Sequence, residues 1–152
     1  MEDVVGRLIV ERDMTISSYE DVTHGMLSER MREAGPEHFI QGIVGNGPTS
    51  IQLLLGTERT DNFADNPSAL ADALAVAIRT QSGSDLGVAV HGMPDPDDLA
   101  ENLASGQTYI SVSHESTIRR RTFNLSGRGR PDRTRISLDA LALLRSMLTE
   151  NF

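Results

Sequence analysis

Apolar positions along the chain recur at two different spacings, and these mark out most of its elements. Val4, Val5, Leu8 and Ile9 fall at helical intervals and are followed by Glu11-Arg12-Asp13, which predicts an amphipathic helix over residues 1–12. A β-prone stretch, Met14 to Ser18, predicts a strand. Val22, Met26, Leu27 and Met31 then lie on one helical face, and Gly35-Pro36 ends that helix. Phe39 to Val44 predicts a second strand, and Gly45-Asn46-Gly47-Pro48 a turn into a short helix from Thr49 to Leu55.

Asn66-Pro67 is a strong helix start, because a side-chain cap precedes a proline whose missing N–H is harmless there. Leu70, Leu74, Ala77 and Ile78 form the stripe that this helix should bury. Leu86 to Val90 is apolar almost without interruption, as expected of a strand covered on both faces. After a loop from His91 to Asp98, two alternating stretches, Gln107–Ser113 and Thr117–Leu125, flank His114-Glu115-Ser116 and predict an antiparallel hairpin. Gly127 to Pro131 is the nearest thing to a flexible loop, and a last helix from Ser137 to Leu148 should bury Leu138, Leu141, Leu144 and Leu148.

The predicted order is α-β-α-β-α-α-β-β-β-α. Such an alternation implies a three-layer α/β/α fold: a mixed sheet, parallel in part and antiparallel at one end, covered by helices on both faces. A chain of 152 residues accommodates this as a single domain, residues 1–152.

Composition narrows the chemistry. With four Phe, two Tyr and no Trp, the core must be aliphatic. A formal charge of −8 disfavours nucleic acid and anionic membrane as partners, which leaves small molecules or other proteins. No cysteine is present, so disulfides, thiolate metal sites and a cysteine nucleophile are excluded. All 14 basic residues are arginine, which closes any mechanism that needs a lysine amine. Acids at positions 2 and 3 and the lack of an apolar leader lead us to expect a cytoplasmic protein.

Three clusters could carry chemistry. Around Tyr19-Glu20-Asp21-Val22-Thr23-His24-Gly25, the residues Ser17, Ser18, Asp21, Thr23 and His24 gather hydroxyls, a carboxylate and an imidazole between a strand and a helix. That is the inventory of a hydrolase, and Ser, Asp and Thr are equally the residues that cap helix N-termini. The loop His91-Gly92-Met93-Pro94-Asp95-Pro96-Asp97-Asp98 offers one His and three carboxylates, yet its spacing fits no calcium loop and its prolines and glycine suit turns. Finally Arg119, Arg120, Arg121, Arg128, Arg130, Arg133 and Arg135 hold half of the positive charge. They could grip a small anion, or simply guard an exposed sheet edge.

Taken in order, these segments resemble the CinA C-terminal family, whose enzymatic members are nicotinamide mononucleotide amidohydrolases. The family carries a Glu-Ser-Cys-Thr-Gly-Gly type motif after a Thr-Ile strand, over which Thr15 to Gly25 lies with Glu20, Thr23 and Gly25 matching. Its Gly-Ile-Ala-Gly-Pro loop falls on Gly92 to Pro96, and its Pro-Val-Gly-Thr-Val segment on Ala104 to Thr108. Leu125-Ser126-Gly127 and the Leu-rich last helix are similar to the family's C-terminus.

What the resemblance implies is a cleft lined by Glu20, Asp21, Thr23, Gly25, Asn46, Gly92, Asp95 and Gly106 that takes a small nucleotide ligand, with no cofactor or metal, in a homodimer. The departures fall on the chemistry. The serine taken as nucleophile in the enzymes is replaced by Asp21, and the Tyr-Ser-Asn-Glu-x-Lys segment that assists it maps onto Asn46 to Ile51 without its Tyr or Lys. A serine attacks only when a base removes its proton. A carboxylate in its place would put negative charge where an oxyanion should form. The expectation is therefore a catalytically inactive CinA-like domain, a nucleotide-binding, regulatory or scaffold protein. The alternative is an active amidohydrolase with rewired residues, Ser18 or Thr23 attacking and His24 or Asp21 as base. A third arrangement would gather Asp21, His24, His91 and Asp95 around a metal.

Overall fold

The computed structural model describes residues 1–93, 106–125 and 129–150. In chain order the elements are α1 (Glu2–Glu11), β1 (Ile16–Glu20), α2 (Met26–Ala34), β2 (Phe39–Val44), α3 (Pro48–Leu55), α4 (Thr57–Asn62), α5 (Pro67–Ser82), β3 (Leu86–Met93), β4 (Gln107–His114), β5 (Thr117–Phe123) and α6 (Arg130–Thr149). The strands form one sheet in the order β2-β1-β3-β4-β5. β1 is parallel to both β2 and β3, while β3–β4 and β4–β5 are antiparallel. Helices α1, α2 and α6 pack together on one face, and α5, with α3 against it, covers the other. This is the expected three-layer α/β/α arrangement.

Strand alternation divides the core in two. Ile16, Leu86, Val88, Val90, Ile110 and Val112 join the cluster under α1, α2 and α6, which contributes Leu27, Met31, Ile136, Leu141 and Leu144. Tyr19 and Ala89 face the other way, into a cluster with Ile51, Leu55, Leu70, Leu74 and Ile78. The α5 layer approaches the sheet closely because its facing residues are small: a Cβ built on Gly87 would lie 2.2 Å from the Ala75 carbonyl oxygen. α5 begins as the sequence predicts, with the Asn66 side chain accepting from the Ala69 N–H at 3.1 Å and Pro67 in the first turn. It ends on Gly83, whose φ of 72° is the left-handed value that glycine adopts without strain.

Several expectations need correcting. β3 runs on to Met93, so His91 and Gly92 are strand residues and not the start of a loop, because they stay paired with Tyr109 and Thr108 of β4. β1 starts two residues later than the β-prone stretch suggests and runs through Tyr19 and Glu20, because it is paired on both sides and all five of its residues are buried. Val22 is buried but belongs to the turn that follows β1, and α2 begins only at Met26. The last helix starts at Arg130, not Ser137, since Pro131 fits its first turn; Leu138 lies on its exposed side. Helix α4 was not anticipated, and it buries none of its residues, so it carries no apolar stripe to read. The basic stretch Arg119–Arg121 lies on β5, an edge strand, where Arg120 pairs with Asp72 at 2.7 Å and Arg119 with Glu150.

Candidate functional site

The chain leaves β1 through α2 to β2 on one side, then returns through α3, α4 and α5 to β3 on the other. The carboxyl ends of β1 and β3 therefore flank the point where strand order reverses, which is where open α/β sheets bind ligands. Glu20 pairs with Val90 across these two strands, so the next residue of each, Asp21 and His91, meet at that point.

Asp21 extends β1 by donating its N–H to the Val90 carbonyl at 3.1 Å. Its carboxylate collects three groups. Oδ1 accepts from the Gly92 N–H at 2.9 Å, and Oδ2 accepts from the Tyr19 hydroxyl at 3.1 Å and lies 2.7 Å from His91 Nδ1. Tyr19 is fully buried. That burial, and after it the charge of Asp21, pushes its phenol well above the ordinary tyrosine range. His91 is 4% exposed, and among the described residues its Nε2 is a buried nitrogen with no hydrogen-bond partner. Gly92 is required for closeness: a Cβ there would meet Val22 Cβ at 2.8 Å.

The other half of the turn is organised by Glu20, which is completely buried. Its Oε1 accepts from Thr23 Oγ1 at 2.5 Å, the Gly25 N–H at 3.0 Å and the Leu27 N–H at 3.1 Å. Oε2 accepts from the Ser28 N–H at 2.7 Å and Ser28 Oγ at 2.6 Å. The free N–H groups and positive dipole end of α2, which could have cradled a ligand anion, are thus satisfied by the protein's own carboxylate. To reach this cap the chain turns sharply, with positive φ at His24 (55°) and Gly25 (95°).

The remaining residues singled out in the sequence lie as follows. Ser18 bonds Ser28 Oγ at 3.0 Å, on the side of the sheet away from Tyr19 and Asp21. The Thr23 hydroxyl is committed to Glu20, and His24 is exposed at the tip of the turn. Asn46 is exposed, with its N–H on Ser50 Oγ at 3.0 Å. Gly106 leads into β4 with φ 112°. Asp95 and most of the loop after His91 lie outside the described residues. Among the described residues there is no group of three His, Cys, Asp or Glu able to hold a metal ion.

Hydroxyls do stand beside a carboxylate here, but that carboxylate is Glu20, enclosed and already accepting from five donors. It cannot serve as a base without giving up the cap. The arrangement at Asp21 is different: a carboxylate holding an imidazole in place, with a tyrosine and a backbone amide fixing the carboxylate. Sequence reading placed Asp21 with Gly92 in one cleft and grouped it with His91 only as a metal arrangement; it missed Tyr19 and the direct Asp21–His91 contact. Tyr19 could have been found from the two-residue spacing that puts it on the same strand face as Asp21. The direct contact with His91 could not, since it depends on the register of two strands 70 residues apart.

Comparison with known proteins places this geometry in context. Residues 1–148 match the CinA C-terminal domain family. A CinA-like protein of Geobacter sulfurreducens is 28% identical over 97% of this chain, and a putative competence-damage inducible protein of Desulforudis audaxviator is 30% identical over 74% of it. The chain spans 37% of the length of the first and 28% of the second. In fold it is similar to the competence damage-inducible protein A of Klebsiella pneumoniae, with a TM-score of 0.82 at 18% identity over 98% of this chain and 95% of that one. A competence-damaged protein (CinA) superfamily protein from Escherichia coli gives a TM-score of 0.72 at 14% identity, over 98% of this chain and 90% of its own. Among the described residues no helix is long and apolar enough to cross a membrane.

Proposed function

The chain belongs to the CinA C-terminal domain family, and we propose that within it this domain does not hydrolyse amides but binds a small nucleotide-like ligand as a regulatory module. The observation that carries this reading is Asp21. It lies where the family's reactive serine is expected, and its oxygens are taken up by Tyr19, His91 and Gly92. Ser18 and Thr23 are bonded to the cap of α2, and no lysine exists anywhere in the chain to act as a base. Amide hydrolysis at an enzymatic rate needs a barrier lowered by roughly 8 kcal/mol or more. The groups at the turn offer no nucleophile to begin that lowering. What supports a retained ligand site is its position between the carboxyl ends of β1 and β3.

A second reading, an amidohydrolase with rewired residues, has one observation in its favour: an imidazole tethered by a carboxylate is the orienting half of a general-base system, and water could be the nucleophile. A single assay separates the two. Purified protein incubated with nicotinamide mononucleotide should release no ammonia above the buffer rate. Turnover that disappears in both Asp21→Asn and His91→Phe would overturn the non-hydrolytic reading and establish the second.

A further inference from the structure

Resting on the ligand-binding reading above, we propose that His91, oriented by Asp21, is the residue through which the site at the carboxyl ends of β1 and β3 selects its ligand, and that the group it selects is a neutral N–H or O–H donor rather than an anion. The argument begins with proton placement. Asp21 Oδ2 and His91 Nδ1 are 2.7 Å apart, and a carboxylate oxygen and a ring nitrogen can approach so closely only if a proton lies between them. Asp21 already accepts from Gly92 and Tyr19, which suits a carboxylate, so the proton belongs to Nδ1. A second proton, on Nε2, would make a buried charged donor with no partner among the described residues, so we take the ring as neutral, with Nε2 an unprotonated acceptor.

That acceptor is the unusual feature. Nε2 is buried and, among the described residues, unpartnered, at the point of the sheet where ligands bind. Directly across the β3–β4 pair from His91 stands Tyr109, which is half-buried. A ligand that brings an amide N–H or a hydroxyl to Nε2 completes a hydrogen bond the protein has left open. A carboxylate or phosphate oxygen there would set lone pair against lone pair, with the Asp21 charge behind. The nearest anion-binding feature, the N-terminus of α2, is closed by Glu20.

Asp21 acts as a positioning residue in this scheme, and its role can be inverted. In Asp21→Asn the Gly92 N–H is a fixed donor and requires the amide oxygen, so the amide nitrogen must face His91. Nδ1 then becomes the acceptor and the ring proton moves to Nε2, which turns the recognition atom from acceptor to donor.

The test uses full-length protein with nitrogen-labelled histidine and two probes of nearly equal shape, nicotinamide mononucleotide, with a carboxamide, and nicotinate mononucleotide, with a carboxylate. In the ligand-free wild type the His91 nitrogen shifts should show a proton on Nδ1 and none on Nε2, and in Asp21→Asn the reverse. By calorimetry the carboxamide should bind wild type at least about tenfold tighter than the carboxylate, the worth of one well-made hydrogen bond. The preference should shrink or invert in Asp21→Asn. A proton on Nε2 in the wild type overturns the inference, and that measurement stands even if the variant does not fold. Equal binding of the two probes to the wild type, or a preference that Asp21→Asn leaves unchanged, also overturns it while the ligand-binding reading survives. Binding of neither probe overturns both.

Discussion

Removing the charge of Glu20 while keeping its shape tests whether that side chain holds the turn together. In Glu20→Gln the amide oxygen can take over one set of donors, and the NH2 group must face the other. The better choice leaves the oxygen with Thr23, Gly25 and Leu27 and turns the NH2 towards Ser28. Ser28 Oγ can rotate to accept from it, but the Ser28 N–H cannot, and a buried donor loses its acceptor. That loss costs about 1–3 kcal/mol. Deleting negative charge from a helix N-terminus adds about 0.3–1 kcal/mol, and more when the site is dry. The sum is about 1.3–4 kcal/mol, a sizeable part of the roughly 5–15 kcal/mol that stabilises a typical domain. Urea unfolding followed by far-ultraviolet circular dichroism should show the midpoint falling with an unchanged slope. Thr23→Val, which removes one of the five donors and leaves the carboxylate the other four, should cost only about 1 kcal/mol. If Glu20→Gln costs less than Thr23→Val, the idea that a buried carboxylate organises the turn is wrong.

Two further outcomes follow from particular contacts. Tyr19 has an ordinary pKa of 10.0 in the unfolded chain and a raised one in the fold, so above pH 10 the unfolded state releases a proton that the folded state keeps. Stability is therefore unaffected below that point and falls as pH rises beyond it, by up to about 1.4 kcal/mol per pH unit. With no lysine to titrate in the same window, denaturation curves from pH 9 to 11.5 should show this fall, and Tyr19→Phe should flatten it. Gly87→Ala drives a Cβ to 2.2 Å from the Ala75 carbonyl and 2.7 Å from Arg79 Cβ, so α5 must lift from the sheet. We expect a loss of about 3 kcal/mol or more, at the upper end of overpacking costs, read as a drop in thermal midpoint; a change within 1 kcal/mol would mean that the layer is looser than its geometry implies.

The parts of this fold that could be read from the sequence are those whose cause is local. Asn66-Pro67 announces α5 because capping involves neighbours within one turn, and Leu86 to Val90 announces a central strand because burial on two faces leaves nothing polar in it. β1 is just as central, yet Ser17, Ser18 and Glu20 make it look like the approach to a turn. Ser18 and Glu20 are tolerated where they lie because Ser28 and the N-terminus of α2 meet them from another element, whereas the buried Ser17 Oγ has no partner among the described residues. Pattern reading has no access to such a partner.

The same limit separates the two halves of the candidate site. Asp21 was visible through its place in a motif, whereas its meaning depends on what it touches. On the non-hydrolytic reading proposed above, a serine placed at that position is not expected to bring amide hydrolysis. Its hydroxyl could satisfy at most part of what the carboxylate now holds, leaving Tyr19, His91 and the Gly92 N–H to compete for it, and no amine would stand nearby to accept its proton. The substitution at position 21 is thus bound to its neighbourhood: the carboxylate is the common acceptor of three groups drawn from β1 and β3, and the chemistry of the site has to be argued from the imidazole that it holds.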